Sequence, residues 1–199
     1  MKVATSLLQS KWLRCVLVLA AIWLVFSLNA EADERAQQWP ELTEEVIAKA
    51  EAGDPYHAYV YVVYLMNSAG AADYEKALEI LPYMREGYAT GNEVDEMTHA
   101  WGHVLTGRAH TQLSQFSAAL RSFETADSIY SNYPANQIAR TERARIAQDI
   151  GMTLQQLSRY EDSLPLFQRA RNAFIELEGK DSSQIPDTHL NEGISLEGM

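Results

Sequence analysis

The sequence feature that most constrains the fold is a pattern that occurs more than once. The stretch GRAHTQLSQFSAALRSFETA at residues 107–126 returns at residues 151–170 as GMTLQQLSRYEDSLPLFQRA, a spacing of about 44 residues. A shift of about 42 residues towards the N-terminus finds a weaker third copy. The matched positions of the three copies are Tyr74, Phe116 and Tyr160; Ala77 and Ala119; Leu81, Phe123 and Phe167; and Met84, Ala126 and Ala170.

The spacing of large and small residues predicts two packed, antiparallel helices in each copy. A small residue such as Gly107 in the first helix allows the second helix to approach closely. Phe116 or Tyr160 is expected to begin the second helix and to fill the space beside the turn. Ala119 and Ala126 are then expected to be buried where the two helices cross.

This order of small, aromatic and small residues resembles the tetratricopeptide (TPR) repeat. The first copy resembles the related Sel-like variant, with AEAGD at residues 50–54, DYEKAL at 73–78 and GYATGN at 87–92. The resemblance implies an all-α, right-handed α-α solenoid of about three helix-turn-helix repeats. The expected segments are a leading segment and helix at 33–53, repeats at 54–92, 93–134 and 135–178 within 54–178, and a C-terminal cap or tail at 179–199.

Some boundaries can be predicted in more detail. In the first copy, Asp73 is expected to cap a second helix over residues 74–88, which Gly91 closes. Pro82 and Pro165 fall inside predicted helices, where proline is expected to kink the helix or cost about 3 kcal/mol. Near the C-terminus, the amphipathic residues Leu190, Ile194 and Leu196 favour one short capping helix over a disordered tail.

The N-terminus carries the features of a secretory signal. Lys2, Lys11 and Arg14 precede an apolar run at residues 15–28, which is shorter than the roughly 20 residues that a membrane-spanning helix needs. Ala30 and Ala32 then form the A-x-A pattern of a signal-peptidase site. We therefore expect residues 1–32 to be removed and the mature chain to begin at Asp33, which mass spectrometry would show. The alternative is an uncleaved segment that anchors the protein in the inner membrane.

Composition narrows the possible environments and partners. The single cysteine, Cys15, falls within the predicted signal, so the mature chain would have no disulfide and no thiol chemistry. An exported domain of this size without disulfides fits the bacterial periplasm. The chain has 27 Asp and Glu against 16 Lys and Arg, a net charge of −11. Nucleic acid is therefore not expected as a partner, because phosphate binding requires a basic surface.

The sequence offers few candidates for catalysis or metal binding. It contains no Walker-type loop, no G-x-S-x-G, no C-x-x-C and no H-E-x-x-H motif. Glu96, His99, His103 and His110 fall within one helical stripe, so neighbouring imidazoles there are a candidate metal site. The interpretation that we favour is structural or surface histidines, since His103 and His110 occupy repeat positions that large packing residues usually fill.

The resemblance to TPR folds also implies a concave groove lined by the first helix of each copy. Counted from Ala58, Ala100 and Ala144, the groove positions are the second, fifth and ninth. They are Tyr59, Val62 and Met66; Trp101, Val104 and Arg108; and Arg145, Gln148 and Met152. Val62, Val104 and Gln148 do not match the TPR clamp that binds a peptide carboxyl terminus. Tyr59 and Trp101 are equally compatible with a core position.

Two hypotheses about function follow. The first is a non-catalytic interaction scaffold of the bacterial cell envelope, without a cofactor, that binds a peptide or protein in the concave groove. The alternative is a metal or small-ligand carrier that uses the stripe of His99, His103 and His110. Retention of zinc or copper after buffer exchange would distinguish them, since three imidazoles should hold stoichiometric metal.

Overall fold

The structure, a computed structural model, describes residues 42–199 except residue 69. The predicted signal sequence and its cleavage point lie outside the described residues. The described part contains eight helices and no strand. The helices are α1 Glu44–Glu51, α2 Pro55–Ser68, α3 Ala71–Tyr88, α4 Glu93–Gln112, α5 Phe116–Ser131, α6 Gln137–Gln156, α7 Tyr160–Glu178 and α8 Ile185–Gly198.

Each helix packs mainly against the helices next to it in the chain. The pairs α2/α3, α4/α5 and α6/α7 correspond to the three predicted copies, with α1 before them and α8 after them. The first helices of the second and third copies, α4 and α6, also touch. The predicted all-α fold is therefore confirmed, and the packing in adjacent pairs is that of a helical-repeat solenoid.

A glycine in the first helix lies against an aromatic ring of the second helix in two copies. A Cβ atom added to Gly107 would stand 2.5 Å from Cε1 of Phe123, and one added to Gly151 would stand 2.7 Å from Cζ of Phe167. Both rings are buried, with 1 and 0% of their surface exposed. The close approach that the repeat pattern predicted is therefore made by these two glycine–phenylalanine contacts.

The predicted small-residue contacts are also present. Ala119, Ala126 and Ala170 have no exposed surface, so the alanines at the repeat positions of α5 and α7 are completely buried. Phe116 and Tyr160 are the first residues of α5 and α7, as predicted. The large and small positions of the repeat thus have the same roles in the second and third copies.

The turns within the second and third copies have the same backbone conformation. Ser114 and Ser158, which are equivalent in the repeat, both have φ of 57°. The backbone N–H of Gln115 donates to His110 O at 2.8 Å, and that of Arg159 donates to Leu154 O at 2.9 Å. These bonds satisfy carbonyl groups at the end of the first helix. The left-handed conformation disfavours a residue with a side chain, which makes both serines sources of local strain.

The first copy begins its second helix earlier than predicted. The helix α3 starts at Ala71 with Gly70 as its N-cap, so the prediction that Asp73 caps a helix beginning at Tyr74 is wrong. Asp73 instead lies in the first turn, where a carboxylate is favoured by the helix dipole, and its Oδ2 accepts from Ser68 Oγ at 2.6 Å. Ala72 has a high helix propensity, which favours a start of α3 before Asp73.

Both internal prolines lie inside helices that continue beyond them. Pro82 is within Ala71–Tyr88, and Pro165 is within Tyr160–Glu178. Each proline removes one backbone donor from its helix, so the carbonyl four residues earlier has no proline N–H to accept from.

The C-terminal segment forms the predicted helix, but its orientation differs from the simplest expectation. Leu190, Ile194 and Leu196, the apolar residues that suggested the helix, are 65, 41 and 57% exposed. The side that faces α7 instead contains Ser195, whose Oγ lies 2.8 Å from Ser163 Oγ. At the end of α8, a Cβ on Gly198 would stand 2.6 Å from the Tyr160 ring. Hydroxyl pairing and a small residue therefore fit α8 onto α7.

Candidate functional site

The nine predicted groove residues divide into a buried set and an accessible set. Tyr59, Val62, Trp101 and Val104 are buried, with 2, 0, 4 and 0% of their surface exposed. The expectation that Tyr59 and Trp101 stand open to a partner is therefore corrected, and the alternative of a core position applies. The physical reason is that α4 packs against α3, α5 and α6, which leaves its inner positions no contact with solvent. The accessible residues are Met66, Arg108, Arg145, Gln148 and Met152.

The accessible residues include one equivalent position from every copy. Met66, Arg108 and Met152 are the ninth positions of their first helices, so one residue of α2, α4 and α6 forms what we call the ninth-position row. The Arg108 side chain is 32% exposed, and Met152 is 37% exposed. In the third copy, Arg145 and Gln148 are also half-buried. The accessible part of the predicted groove is thus this row together with the face of α6.

Arg108 is held in place from two sides. Its guanidinium carbon lies 5.3 Å from the centre of the Trp101 ring, which is cation–π distance. Its Nη2 lies 3.0 Å from Oδ2 of Asp149 on α6. Burial acts to lower the pKa of Arg108, but the charges of Asp149 and Glu142 outweigh it and raise that pKa. The result is a preorganised guanidinium that bridges α4 and α6 and still reaches the surface.

A second ion pair lies deeper beside the first. Glu142 is only 2% exposed, and its Oε1 accepts from Nη1 of Arg145 at 2.8 Å. Burial raises the pKa of Glu142, against the opposing effect of Arg145. The other oxygen, Oε2, is buried without a hydrogen-bond partner among the described residues. A buried, incompletely paired carboxylate stabilises little by itself, so this pair fixes the position of Arg145 at a cost in folding free energy.

Glu96, His99 and His110 of the histidine stripe each have a hydrogen-bond partner outside the stripe. Glu96 Oε1 accepts from the backbone N–H of Gly91 at 3.0 Å, and Nδ1 of His99 donates to the carbonyl of Arg85 at 2.8 Å. Nδ1 of His110 lies 2.6 Å from Oε1 of Gln115. The rings of His99 and His103 meet edge to face at 4.9 Å. Within residues 42–199, apart from residue 69, no three His, Cys, Asp or Glu side chains are placed to hold a metal ion.

Two equivalent grooves occur where second helices of neighbouring copies flank a first helix. The groove between α3, α4 and α5, which we call the first outer groove, has a volume of about 340 Å³. The second outer groove, between α5, α6 and α7, has a volume of about 420 Å³. The repeat alignment matches their residues: Arg85 with Asp127, His110 with Leu154 and Thr125 with Arg169.

Sequence reasoning found neither groove, because the lining residues come from three helices. Arg85 and Arg121 are distant in the sequence and carry no motif. The repeat alignment itself contains a signal, since a basic residue at the position of Arg85 replaces the acidic Asp127 of the next copy. Position-by-position comparison of charge between copies would have identified it.

Comparison with known proteins adds no family assignment. A scan against models of protein families and a search of curated proteins both give no match to the chain. The resemblance to TPR repeats therefore stays a prediction from the sequence pattern. In the part of the chain that the structure describes, no helix is both long enough and apolar enough to cross a membrane.

Proposed function

We propose that this protein is a non-catalytic interaction scaffold of the bacterial cell envelope, which binds a peptide or protein partner along the first helices of its repeats. The observation that carries the proposal is the position of Arg108, which stacks on Trp101, pairs with Asp149 and remains 32% exposed. Arginine held in this way loses little conformational freedom when it binds, and such residues contribute strongly to interfaces.

The ninth-position row suggests what the partner presents. Met66 and Met152 occupy the same repeat position as Arg108 in the first and third copies, and methionine adapts its shape to varied apolar surfaces. Arg108 is already neutralised by Asp149, so it is suited to donate hydrogen bonds to backbone or amide oxygens rather than to attract a strong negative charge. An extended or helical segment with apolar side chains spaced around one polar group fits this surface.

The proposed location in the envelope is supported by the sequence, through the N-terminal basic residues, the short apolar run and the A-x-A pattern before Asp33. An inner-membrane anchor is the alternative. Determination of the N-terminus in fractionated cells distinguishes the two, since cleavage leaves Asp33 and an anchor leaves Met1 in the membrane fraction.

The test of binding begins with affinity purification from envelope extract, followed by affinity measurements with the purified partner. We expect Arg108→Ala and Met152→Ala each to weaken binding at least about tenfold, which corresponds to 1.4 kcal/mol. Met152→Ala is needed because Arg108→Ala also leaves Asp149 without its partner and lowers stability.

The matched control is Arg159→Ala. It removes an arginine that is 53% exposed, lies directly before α7 and pairs with Asp162 in the first turn of that helix. This variant should bind as well as the original protein. Full binding by both Arg108→Ala and Met152→Ala would overturn the proposed surface, as would an equal loss on Arg159→Ala.

A further inference from the structure

The first outer groove is lined by two arginine side chains that form no salt bridge with any other residue the structure describes. Arg85 and Arg121 line it from α3 and α5, and neither lies within salt-bridge distance of a carboxylate of the described residues. The other arginines of this part of the chain all have such a carboxylate: Arg108, Arg140, Arg143, Arg145, Arg159, Arg169 and Arg171. In a protein with a net charge of −11, two arginines that line one groove without a salt bridge to a described residue are unusual.

The second outer groove shows what the same architecture looks like when its charges are compensated. Asp127 replaces Arg85 there, and its Oδ1 lies 2.9 Å from Arg143 Nε and 3.2 Å from Arg169 Nη2. Leu154 also replaces His110. Two grooves built by the same repeat therefore differ in their charge pairing: the acidic group of the second pairs with two arginines, whereas the two arginines of the first have no salt-bridge partner among the described residues.

The Arg85 side chain is positioned by the helices around it. A Cβ atom on Gly102 would stand 2.6 Å from its Cγ, so the aliphatic stem of Arg85 lies against the α4 backbone where a glycine leaves room. Partial burial lowers the pKa of Arg85 from its ordinary value, and the neighbouring Glu86 opposes this effect. The guanidinium stays charged, because the pKa of arginine is far above physiological pH.

The hydroxyl groups of the groove have their protons engaged elsewhere. Thr106 Oγ1 donates to Gly102 O at 2.8 Å, Ser122 Oγ donates to Ala118 O at 3.0 Å, and Thr125 Oγ1 donates to Arg121 O at 2.8 Å. Nδ1 of His110 is likewise engaged, at 2.6 Å from Oε1 of Gln115, so the groups able to donate hydrogen bonds into the groove are the two guanidinium groups and the His103 imidazole. Guanidinium matches the oxygen atoms of phosphate in two-point geometry, and it binds them more strongly than it binds neutral acceptors.

We propose that the first outer groove is a binding site for a small phosphate-type oxyanion, held by Arg85 from α3 and Arg121 from α5. A volume of about 340 Å³ is near the lower end for ligand sites, which suits a phosphate ion or a small phosphate monoester. This site is separate from the ninth-position row, because His103, Thr106 and His110 lie roughly 180° around α4 from Trp101 and Arg108 at 100° per residue. A substitution that abolishes phosphate binding is therefore expected to leave partner binding at the ninth-position row unchanged, and the reverse.

The experiment is a calorimetric titration of the purified protein with inorganic phosphate, and separately with glycerol 3-phosphate, at an ionic strength held constant with sodium chloride. We expect saturable binding with one site per chain. Arg85→Gln and Arg121→Gln should each weaken it at least about tenfold. Tighter binding of glycerol 3-phosphate would assign the groove to monoesters, and preference for the free ion would assign it to phosphate itself.

Two further variants separate a specific site from general charge effects. Gly102→Ala keeps every charge but displaces the stem of Arg85, so it should weaken phosphate binding while circular dichroism shows that the helices persist. Arg169→Gln removes one arginine from the second outer groove, and it should change affinity less than twofold. Absence of saturable binding to both ligands would overturn the proposal, and so would an equal loss on Arg169→Gln and Arg85→Gln.

Discussion

Substitution of Gly107 by alanine tests the helix contact on which the repeat depends. A Cβ atom there would lie 2.5, 2.7 and 2.8 Å from three carbon atoms of the Phe123 ring. Carbon atoms in contact are normally about 3.5–4.0 Å apart, so the ring must retreat by about 1 Å. Phe123 is 1% exposed, so the ring can retreat only by displacing its neighbours inside the protein. Overpacking of this kind costs about 1–3 kcal/mol.

The helix propensity of alanine acts in the opposite direction and must be separated from the steric effect. Alanine is favoured over glycine inside a helix by about 1 kcal/mol. Gly193 provides the control, since a Cβ atom there, also within a helix, meets nothing within 4 Å. We expect Gly193→Ala to be slightly stabilising. Gly107→Ala should be less stable than Gly193→Ala by about 1–3 kcal/mol in urea unfolding followed by circular dichroism.

A second substitution, which replaces the Phe123 ring, shows whether the contact between positions 107 and 123 causes the loss of stability. In the first copy, Leu65 and Leu81 occupy the positions of Gly107 and Phe123, and both are buried. A side chain at the first position is therefore tolerated when the second position holds leucine. We expect Phe123→Leu to recover at least about 1 kcal/mol of the loss in Gly107→Ala. Additivity of the two changes within about 0.5 kcal/mol, or equal stability of Gly107→Ala and Gly193→Ala, would refute the reasoning.

Three other predictions concern stability. Ala126→Leu should lower the free energy of unfolding by about 1–3 kcal/mol, because Ala126 is fully buried between helices, and a melting temperature equal to the original would contradict the repeat alignment. Ser114→Gly should raise the free energy of unfolding by about 0.5–1 kcal/mol, since φ is 57° there, and urea unfolding will show a loss instead if the serine is not strained. Burial, the charge of Arg85 and the nearby His99 lower the pKa of His103 to about 4. The unfolded chain therefore takes up the proton first as pH falls below about 6.5, and we expect a loss of about 1–2 kcal/mol between pH 7 and pH 5. His103→Gln should lose less over that interval, and an unchanged pH dependence would contradict the shift.

The predictable parts of the fold are those in which the residue type at a position is compatible with a single structural role. Glycine opposite phenylalanine at a fixed spacing, as in Gly107 and Phe123, indicates a close helix contact whatever surrounds it. The same holds for the fully buried Ala119. Local patterns of this kind depend on two helices that are neighbours in the chain, so the sequence contains the whole interaction.

The groove and the last helix were harder to predict, because burial depends on elements outside the pattern. Trp101 was assigned to the groove by its register, yet the neighbouring helices cover it to 4% exposure. Leu190 was a reason to predict a packed helix, whereas the interface of α8 uses the hydroxyl pair Ser163 and Ser195. Apolar periodicity identifies a helix, but it does not show which side of that helix meets its neighbour.

The order of the helix contacts along the chain affects how the protein folds and where it unfolds locally. Since each helix packs mainly on its chain neighbours, native contacts join residues that are close in the sequence, and little loop entropy is lost when they form. Folding is therefore expected to be fast and to start at more than one helix pair. In the native state, amide protons of α4, which has packed neighbours on three sides, should exchange with solvent more slowly than those of α1 or α8. A gradient of protection that falls from the centre to the ends would show that the terminal helices detach first, while the helix pairs between them stay folded.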